Sequence, residues 1–304
     1  MRRGILALFV FSSFLSAGIG VAGAVDIAGQ ATAISVIDDR GHSIRLDYSA
    51  GRIISLSPNI TELVFAAGAG AKLVGVSRYS DYPEAAKSIP EVGDSSHLDL
   101  ERIIALKPDL VIAWGSGNTV SDIGKLERLG LTVFVTEAIR LEDVSRLLRA
   151  AGKLAGTSTQ AERAARVYEA ELGQIKRNYG GRRQIGVFPL IWHQPLMTVN
   201  GNHIISDIIR MCGGANVFSS ASSLTPVISA ESLLKADPQA IISSISLEFS
   251  GIGVRELLRR LSHVSAVRSN HLFFVHPDLI HRQTPRMLQA VKTVCAQLEE
   301  VRSS

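Results

Sequence analysis

A short pattern that occurs twice constrains the fold of this chain more than any other sequence feature. Its first copy places Glu101 seven residues before Pro108 and continues into the apolar run 110–114. Its second copy places Glu231 seven residues before Pro238, and a second apolar run follows. Each copy predicts a short amphipathic helix with a glutamate in its first turn, a proline that ends the helix, and a buried strand. Two copies with equal internal spacing indicate two similar lobes, each presenting a carboxylate at an equivalent place.

Predicted strands and helices alternate around both copies. Short apolar runs are separated by segments with helical periodicity, and a predicted hairpin over 33–46 precedes the first of them. This alternation is typical of an α/β fold with mostly parallel sheets and helices on both faces. At 304 residues the chain is long enough for two lobes that each bury a core.

The segment between the two predicted lobes has a different character. It is rich in alanine, glutamate and arginine, has helical periodicity, and is interrupted once, at Gly156 and Thr157. We therefore predict a rigid helix that joins the lobes rather than a flexible linker. The predicted organisation is a signal peptide over 1–24, an N-terminal lobe over 25–140, a connecting helical segment over 141–180 and a C-terminal lobe over 181–304.

The first 24 residues have the pattern of a secretory signal peptide, which predicts a periplasmic protein. Arg2 and Arg3 precede the apolar run 4–21, and Ala22 to Ala24 provide a small-residue cleavage site. A retained membrane anchor is the alternative that the length of the run leaves open. No cysteine directly follows the run, so a lipoprotein anchor has no attachment point.

Several classes of function find no support in the sequence. The formal net charge of +4 falls to +2 once Arg2 and Arg3 leave with the signal peptide, which gives no indication of a nucleic-acid partner. The chain contains no GxSxG, Walker, HExxH or strand-linked GxGxxG motif, so we expect neither an enzyme nor catalytic residues nor a cofactor. The loop 115–117 contains two glycines but lacks a third.

The chain contains two cysteines, Cys212 and Cys295, and both lie in its second half. In an oxidising compartment such a pair favours a disulfide, which would close a long loop. Two buried reduced thiols are the alternative. The histidines with a possible ligand role have no HxxH or HExxH spacing, so we expect no protein-held metal and favour surface or satisfied histidines. They are His97, His193, His203, His276 and His281.

Five stretches of the sequence, in this order, resemble one known family. They are RIISLSPNITELVFAAG (52–68), YSDYP (79–83), LDLERIIALKPDLVIAW (98–114), MCGGANVF (211–218) and RQTPRMLQAVKTVC (282–295). The family is that of the periplasmic binding proteins of ABC importers for cobalamin (vitamin B12) and iron-siderophores. The resemblance covers essentially the whole mature chain. It implies two α/β lobes joined by one long helix, a chelate as small-molecule ligand and a transmembrane ABC permease as partner, and we expect a monomer.

The resemblance gives the duplicated glutamates a role. Glu101 and Glu231 fall on motif positions whose carboxylates, one per lobe, meet arginines of the permease. A two-lobed protein that docks on a two-fold permease needs charge at two separated, equivalent points, and such charges set orientation more than affinity. The alternative is that each glutamate only complements the dipole of its helix.

The resemblance also implies ligand contacts. Tyr79 and Trp114 match positions where aromatic side chains line the cleft, and Asp278 and Arg282 match a polar pair with the same separation. Cys212 and Cys295 match the family's paired cysteines. The sequence departs from the cobalamin-binding members over 93–97, where it has no tryptophan.

Trp192 and His193, in the second lobe, are the residues that we expect to supply apolar area instead. A corrin or porphyrin is a broad, mostly apolar plate, for which aromatic side chains offer rigid contact area. Both tryptophans of the chain, Trp114 and Trp192, end predicted strands, where open α/β sheets bind ligands, although core packing is the alternative for each. We therefore expect cobalamin as the transported ligand. A haem or ferric-siderophore receptor of the same architecture is the alternative, and a direct zinc or manganese receptor is less favoured.

Overall fold

A computed structural model describes residues 1, 33–95, 97–245, 256, 257 and 259–304. Residues 32–304 form one compact unit. The predicted signal peptide lies, apart from its first residue, outside the described residues, as does part of a helix predicted over 254–261. No helix in the described ranges combines the length and the apolar character needed to cross a membrane.

The strands form two four-stranded parallel sheets and two small antiparallel ribbons. In chain order the strands are β1 (Ile34–Ile37), β2 (Ser43–Leu46), β3 (Ile53–Ser55), β4 (Leu73–Val76), β5 (Leu110–Trp114), β6 (Val133–Thr136), β7 (Ile185–Leu190), β8 (Trp192–His193), β9 (Leu196–Met197), β10 (Gly214–Asn216), β11 (Ala240–Ser243) and β12 (Leu272–Phe274).

The helices cover the faces of the sheets and connect them. In chain order the α-helices of the described residues are α1 (Pro58–Ala66), α2 (Leu100–Ala105), α3 (Val120–Arg128), α4 (Asp143–Ala155), α5 (Ser158–Tyr179), α6 (Ile204–Met211), α7 (Ala230–Ala236), α8 (Ser265–Arg268), α9 (Pro277–Ile280) and α10 (Met287–Ser303). Two 3₁₀ turns lie at Gly70–Lys72 and Glu84–Ser88.

Both large sheets have the same strand order. The first runs β4-β3-β5-β6 and the second β10-β7-β11-β12, so each reads second, first, third, fourth along the chain. All of these pairings are parallel. We call residues 33–140, around the first sheet, lobe 1 and residues 185–304, around the second sheet, lobe 2. The topology confirms the predicted α/β fold with two similar, parallel halves.

The two copies of the glutamate pattern form matching helix–strand units. Asp99 caps α2 by accepting a hydrogen bond from the Arg102 amide at 2.9 Å, and Ser229 caps α7 by accepting one from Ser232 at 3.0 Å. Each helix is followed by the third strand of its sheet. In both units the residue directly before the proline has positive φ, 45° at Lys107 and 37° at Asp237. The units therefore agree in backbone detail as well as in spacing.

The connecting segment is a pair of helices packed against each other and against both lobes. The break between α4 and α5 falls at Gly156, whose φ of 69° suits a residue without a Cβ. The Tyr168 hydroxyl, buried on α5, donates to the Leu141 carbonyl oxygen at 2.9 Å. Buried residues of both helices share one apolar core with α6 and α10. This packing holds the two helices of the connecting segment in place.

The fold differs from the sequence-based expectation in three small places. The strand expected to end at Trp192 ends at Leu190, and Trp192 and His193 form one strand of a short antiparallel ribbon, β8–β9. The strand β10 was not predicted, because a Gly-Ala-Asn stretch has little strand propensity and pairs here only through its position beside β7. The closing helix begins at Met287 rather than near Thr284.

Lobe 2 contains the disulfide. Cys212, at the end of α6, is joined to Cys295, on α10, with an S–S distance of 2.07 Å, and both residues are fully buried. The bond ties the closing helix to the sheet-covering helix of the same lobe, as the cysteine count predicted.

Candidate functional site

Two of the predicted site residues lie where strands of lobe 1 end. Tyr79 follows β4 and Trp114 ends β5. Both side chains line a cavity of about 290 Å³ at the carboxyl edge of the sheet, where open parallel sheets bind ligands. The Tyr79 side chain is 69% exposed, and its φ of 67° turns the backbone out of the strand direction. Lobe 1 therefore offers two aromatic surfaces at one edge.

The indole of Trp114 is held in place by its neighbours. Its Nε1 donates to Glu137 Oε1 at 3.3 Å, and its backbone amide donates to Asn118 Oδ1 at 2.8 Å. Glu137 also accepts hydrogen bonds from the amide and hydroxyl of Ser116, at 2.7 and 3.2 Å. Burial raises the pKa of Glu137, and these hydrogen bonds only partly offset that effect. The charge of nearby Asp39 adds to the increase.

The strand ends of lobe 2 place Trp192 and His193 on the β8–β9 ribbon. Trp192 is 51% exposed, and its Nε1 donates to the Gln194 carbonyl oxygen at 2.8 Å. Its ring centroid lies 5.8 Å from that of His193. The His193 Nδ1 atom is buried and has no hydrogen-bond partner among the described residues. An unpaired buried nitrogen is a candidate contact for a ligand.

Asp278 and Arg282 form an ion pair in which Arg282 Nη2 lies 2.9 Å from Asp278 Oδ1. The other hydrogen bonds of the Arg282 guanidinium go to residues of lobe 1. Its Nη1 lies 3.0 Å from Glu62 Oε1 and 2.7 Å from Asp81 Oδ1, and the guanidinium is only 12% exposed. Its Nη2 lies 3.4 Å from the Tyr79 carbonyl oxygen. Burial lowers the pKa of Arg282, but the hydrogen bonds that it donates to Asp81 and Glu62, together with the negative charges of Asp278 and Asp81, outweigh this effect and raise the pKa overall. The pair therefore lies at the boundary between the lobes.

Glu62 joins the two lobes at this boundary, and it is not among the site residues that the sequence predicts. The residue is 3% exposed. Its Oε2 accepts from Arg286 Nε at 2.9 Å and from the Thr284 hydroxyl at 3.0 Å. Arg286 also stacks over the Tyr82 ring at 3.8 Å. The signal that could have found it is a glutamate on the buried face of α1 together with two arginines four residues apart.

The sequence predicts that His203 is a surface or satisfied histidine. The structure places it at the boundary between the lobes. It lines a cavity of about 170 Å³ together with Asn202 and Gln283 of lobe 2 and Ser116 and Glu137 of lobe 1. Its Nδ1 accepts the Ile205 amide at 3.1 Å, which caps α6. Burial lowers the pKa of His203 to about 4, and His281 contributes a smaller effect. The ring is therefore neutral at pH 7.

Both duplicated glutamates are exposed. Glu101 lies in the first turn of α2 and Glu231 in the first turn of α7. Neither forms an ion pair within the described part of the chain. They occupy topologically equivalent positions, one before β5 and the other before β11.

Among the described residues, no group of three or more His, Cys, Asp or Glu side chains is arranged to hold a metal ion. Aromatic side chains with polar groups beside them are suited to contact a flat, mostly apolar ligand.

Proteins of known name are similar to this chain over most of its length. A model of the periplasmic binding protein family matches residues 53–279. The vitamin B12-binding protein of Vibrio parahaemolyticus serotype O3:K6 is 34% identical over 251 residues, which cover 83% of this chain and 90% of that protein. The vitamin B12-binding protein of Yersinia pestis is 32% identical over 254 residues, or 83% of this chain and 88% of that protein.

Solved structures share the fold. The periplasmic vitamin B12 binding protein BtuF of Vibrio cholerae superposes with a TM-score of 0.77 at 33% identity, covering 84% of this chain and 99% of that one. The periplasmic heme-binding protein RhuT from Roseiflexus sp. RS-1, in its apo form, superposes with a TM-score of 0.73 at 25% identity, covering 83% and 99%.

Proposed function

Because this chain belongs to the periplasmic binding protein family, we propose that it captures cobalamin between its lobes and delivers it to an ABC permease. Membership of the family confirms the resemblance that the sequence motifs indicated. The observation that carries the choice of ligand is the 34% identity, over 83% of the chain, to a protein named for vitamin B12 binding. The exposed aromatic side chains at the strand ends support it physically.

The cleft would hold the corrin between rigid aromatic surfaces. Tyr79 and Trp114 provide the surface from lobe 1, whereas Trp192 and His193 provide it from lobe 2. Asp278 and Arg282 lie at the boundary, where polar groups fix the orientation of a largely apolar ligand. Binding and release require no covalent chemistry, so the protein acts as a receptor and not as an enzyme.

Delivery depends on the outer surface rather than the cleft. Glu101 and Glu231 present one exposed carboxylate per lobe, each unpaired within the described residues and each at the start of an equivalent helix. A monomer with this spacing suits a two-fold permease that offers a basic group to each lobe. We propose that residues 1–24 direct export and are removed in the periplasm.

The ligand is tested by titrating the purified mature protein with cyanocobalamin, haemin and a ferric hydroxamate, by calorimetry. We expect cyanocobalamin to bind with micromolar or tighter affinity, and Trp114→Ala to weaken binding about tenfold or more. A matched control is Tyr48→Ala, which removes an exposed aromatic side chain that lines neither of the two cavities described above. Tight binding of another chelate, with no binding of cyanocobalamin, overturns the proposed ligand.

Docking is tested with the double charge reversal Glu101→Lys and Glu231→Lys. Ligand affinity should stay unchanged, while ligand transfer to the importer in proteoliposomes is lost. Glu171→Lys, on the exposed side of α5, is the control because it changes the same charge away from both units. Undiminished transfer by the double variant contradicts the docking role.

The buried, unpaired His193 Nδ1 favours a haem receptor as the second candidate. Imidazole is a common axial ligand of haem iron, and the fold is shared with the heme-binding protein RhuT. If haem is the ligand, haemin binding gives a Soret shift that His193→Ala abolishes. An unchanged spectrum in that variant removes the support for this candidate.

A further inference from the structure

The small cavity between the lobes is lined by polar residues, two of which keep a donor without a partner among the described residues. It has a volume of about 170 Å³ and is lined by Ser116 and Glu137 from lobe 1 and by Asn202, His203 and Gln283 from lobe 2. Glu137 also accepts the Trp114 indole N–H at 3.3 Å. The cavity therefore adjoins the aromatic surface, where the edge of a flat ligand would reach it.

We propose that Glu137, His203 and Gln283 form a subsite for a neutral primary carboxamide at the edge of the ligand, and that it discriminates against a carboxylate. The inference rests on the proposed cobalamin function and deepens it. It names the chemical group that distinguishes a corrinoid, which carries peripheral primary amides, from haem, which carries propionates.

Lobe 2 supplies the hydrogen-bond donors. His203 Nδ1 accepts the Ile205 amide at 3.1 Å, so a neutral ring carries its proton on Nε2. Gln283 is 4% exposed, and its Oε1 accepts from Asn59 Nδ2 at 2.6 Å, which leaves its amide nitrogen as a donor. Neither donor has a partner among the described residues. Both residues line the cavity, and two free N–H donors at one cavity would suit a carbonyl oxygen.

Lobe 1 supplies an acceptor whose charge has no counterion. The three groups that bond Glu137 are all neutral: the Trp114 indole, the Ser116 amide and the Ser116 hydroxyl. No cation forms an ion pair with the Glu137 side chain within the described chain. Arg146 donates to the Glu137 backbone carbonyl oxygen at 3.3 Å, but its ion pair is with Asp39, at 2.7 Å. A ligand amide can donate to this carboxylate, whereas a ligand carboxylate would repel it at short range.

Glu62, at the same boundary, shows the contrast. It is paired with Arg282 and Arg286, so its charge is compensated within the protein. Glu137 is left as the uncompensated carboxylate beside the aromatic surface. Selectivity arises here from repulsion of the wrong ligand as well as attraction of the right one.

The test compares cyanocobalamin with its b-, d- and e-monocarboxylic acids, in each of which one peripheral amide is a carboxylate. We expect wild-type protein to bind at least one acid about tenfold more weakly than cyanocobalamin at pH 7.5. Glu137→Gln should reduce this ratio to about threefold or less, because it removes the charge and keeps the shape. Glu127→Gln, in the same lobe and away from the cavity, should leave the ratio unchanged.

A second variant addresses the donors and guards against a folding defect. His203→Asn keeps a good N-cap for α6 and withdraws the ring donor, so it should weaken cyanocobalamin binding about fivefold while the thermal midpoint of the free protein stays close to that of wild type.

The outcomes separate the two proposals. If wild type binds no corrinoid, the proposed function and this subsite are both overturned. If it binds cyanocobalamin but Glu137→Gln keeps the wild-type ratio, or His203→Asn keeps wild-type affinity, the subsite alone is wrong.

Discussion

Lobe 1 places Glu62 and Glu137 at the boundary between the lobes, whereas lobe 2 places two arginines, a neutral histidine and the carboxylate of Asp278 there. Glu62 and Glu137 come from lobe 1, and Arg282, Arg286 and His203 come from lobe 2. Yet the two sheets have one strand order. The duplicated architecture thus fixes where the strand ends lie, and the chemistry at those ends has diverged so that the inner faces complement each other.

On the outer surfaces, by contrast, the two lobes have kept the same chemistry at equivalent positions. The helices α2 and α7 keep a first-turn glutamate, a capping residue and a positive-φ residue before the proline. An unsymmetrical ligand has no use for identical inner faces, whereas a two-fold partner requires identical outer points. The molecule is therefore asymmetric inside and symmetric outside, which is the pattern that the proposed function needs.

The largest expected effect concerns the stability of lobe 2, in which the two lobes differ because only lobe 2 contains a disulfide. The bond between Cys212 and Cys295 closes a loop with a sequence separation of 83. Replacing both cysteines with alanine should lower the free energy of unfolding by about 4 kcal/mol, measured in urea. Hydrogen exchange should rise first in α6 and α10 and not in lobe 1. A loss below about 1 kcal/mol would contradict the constraint assigned to the bond.

The next effect concerns the contact between the lobes. Glu62→Ala leaves Arg282 and Arg286 without their shared carboxylate, and removing one partner of a buried ion pair costs about 3 kcal/mol. The measurement is again urea unfolding of the ligand-free protein.

The matched control for Glu62 is an exposed ion pair. Glu171 lies 2.8 Å from Lys292 with both side chains about half exposed, so Glu171→Ala should cost less than about 1 kcal/mol. Equal losses in the two variants would mean that Glu62 contributes no more than a surface charge.

Much of this comparison could be predicted from the sequence, and the reason is spacing. The repeated distance from glutamate to proline predicted equivalent helix–strand units, because both the 3.6-residue period and the proline stop are local properties. The disulfide could be predicted because the chain has only two cysteines and they tend to pair in an oxidising compartment. The partners of Glu62 lie more than 200 residues away in the chain, and their meeting depends on how the lobes pack. His203 reads as an ordinary N-cap until the facing residues of lobe 1 are known.

Acidification should affect the two lobes with opposite signs. Burial lowers the folded-state pKa of His203 to about 4, so its contribution to stability is complete above pH 6.5 and is lost as the pH falls toward 4. Between pH 7 and pH 5 the loss should be about 2 kcal/mol. Glu137 has a raised pKa, so its protonation at low pH relieves a penalty and stabilises the protein.

The pH effect is checked by the urea midpoint of wild type and His203→Asn across this range. Between pH 7 and pH 5 the urea midpoint of the variant should fall much less than that of wild type. If the two curves stay parallel, the histidine is not the titrating group.

The smallest expected effect tests the outer symmetry. A first-turn glutamate stabilises an exposed helix through the dipole by about 0.3–1 kcal/mol. Glu101→Gln and Glu231→Gln should therefore each lower the free energy of unfolding by about 0.5 kcal/mol, and by the same amount, because both side chains are exposed and unpaired in the described chain. Unequal losses, with one above about 1.5 kcal/mol, would show that one of them is a structural residue. If their stability effects are this small, a large loss of ligand transfer in the charge-reversed double variant would support the proposed contact with the permease.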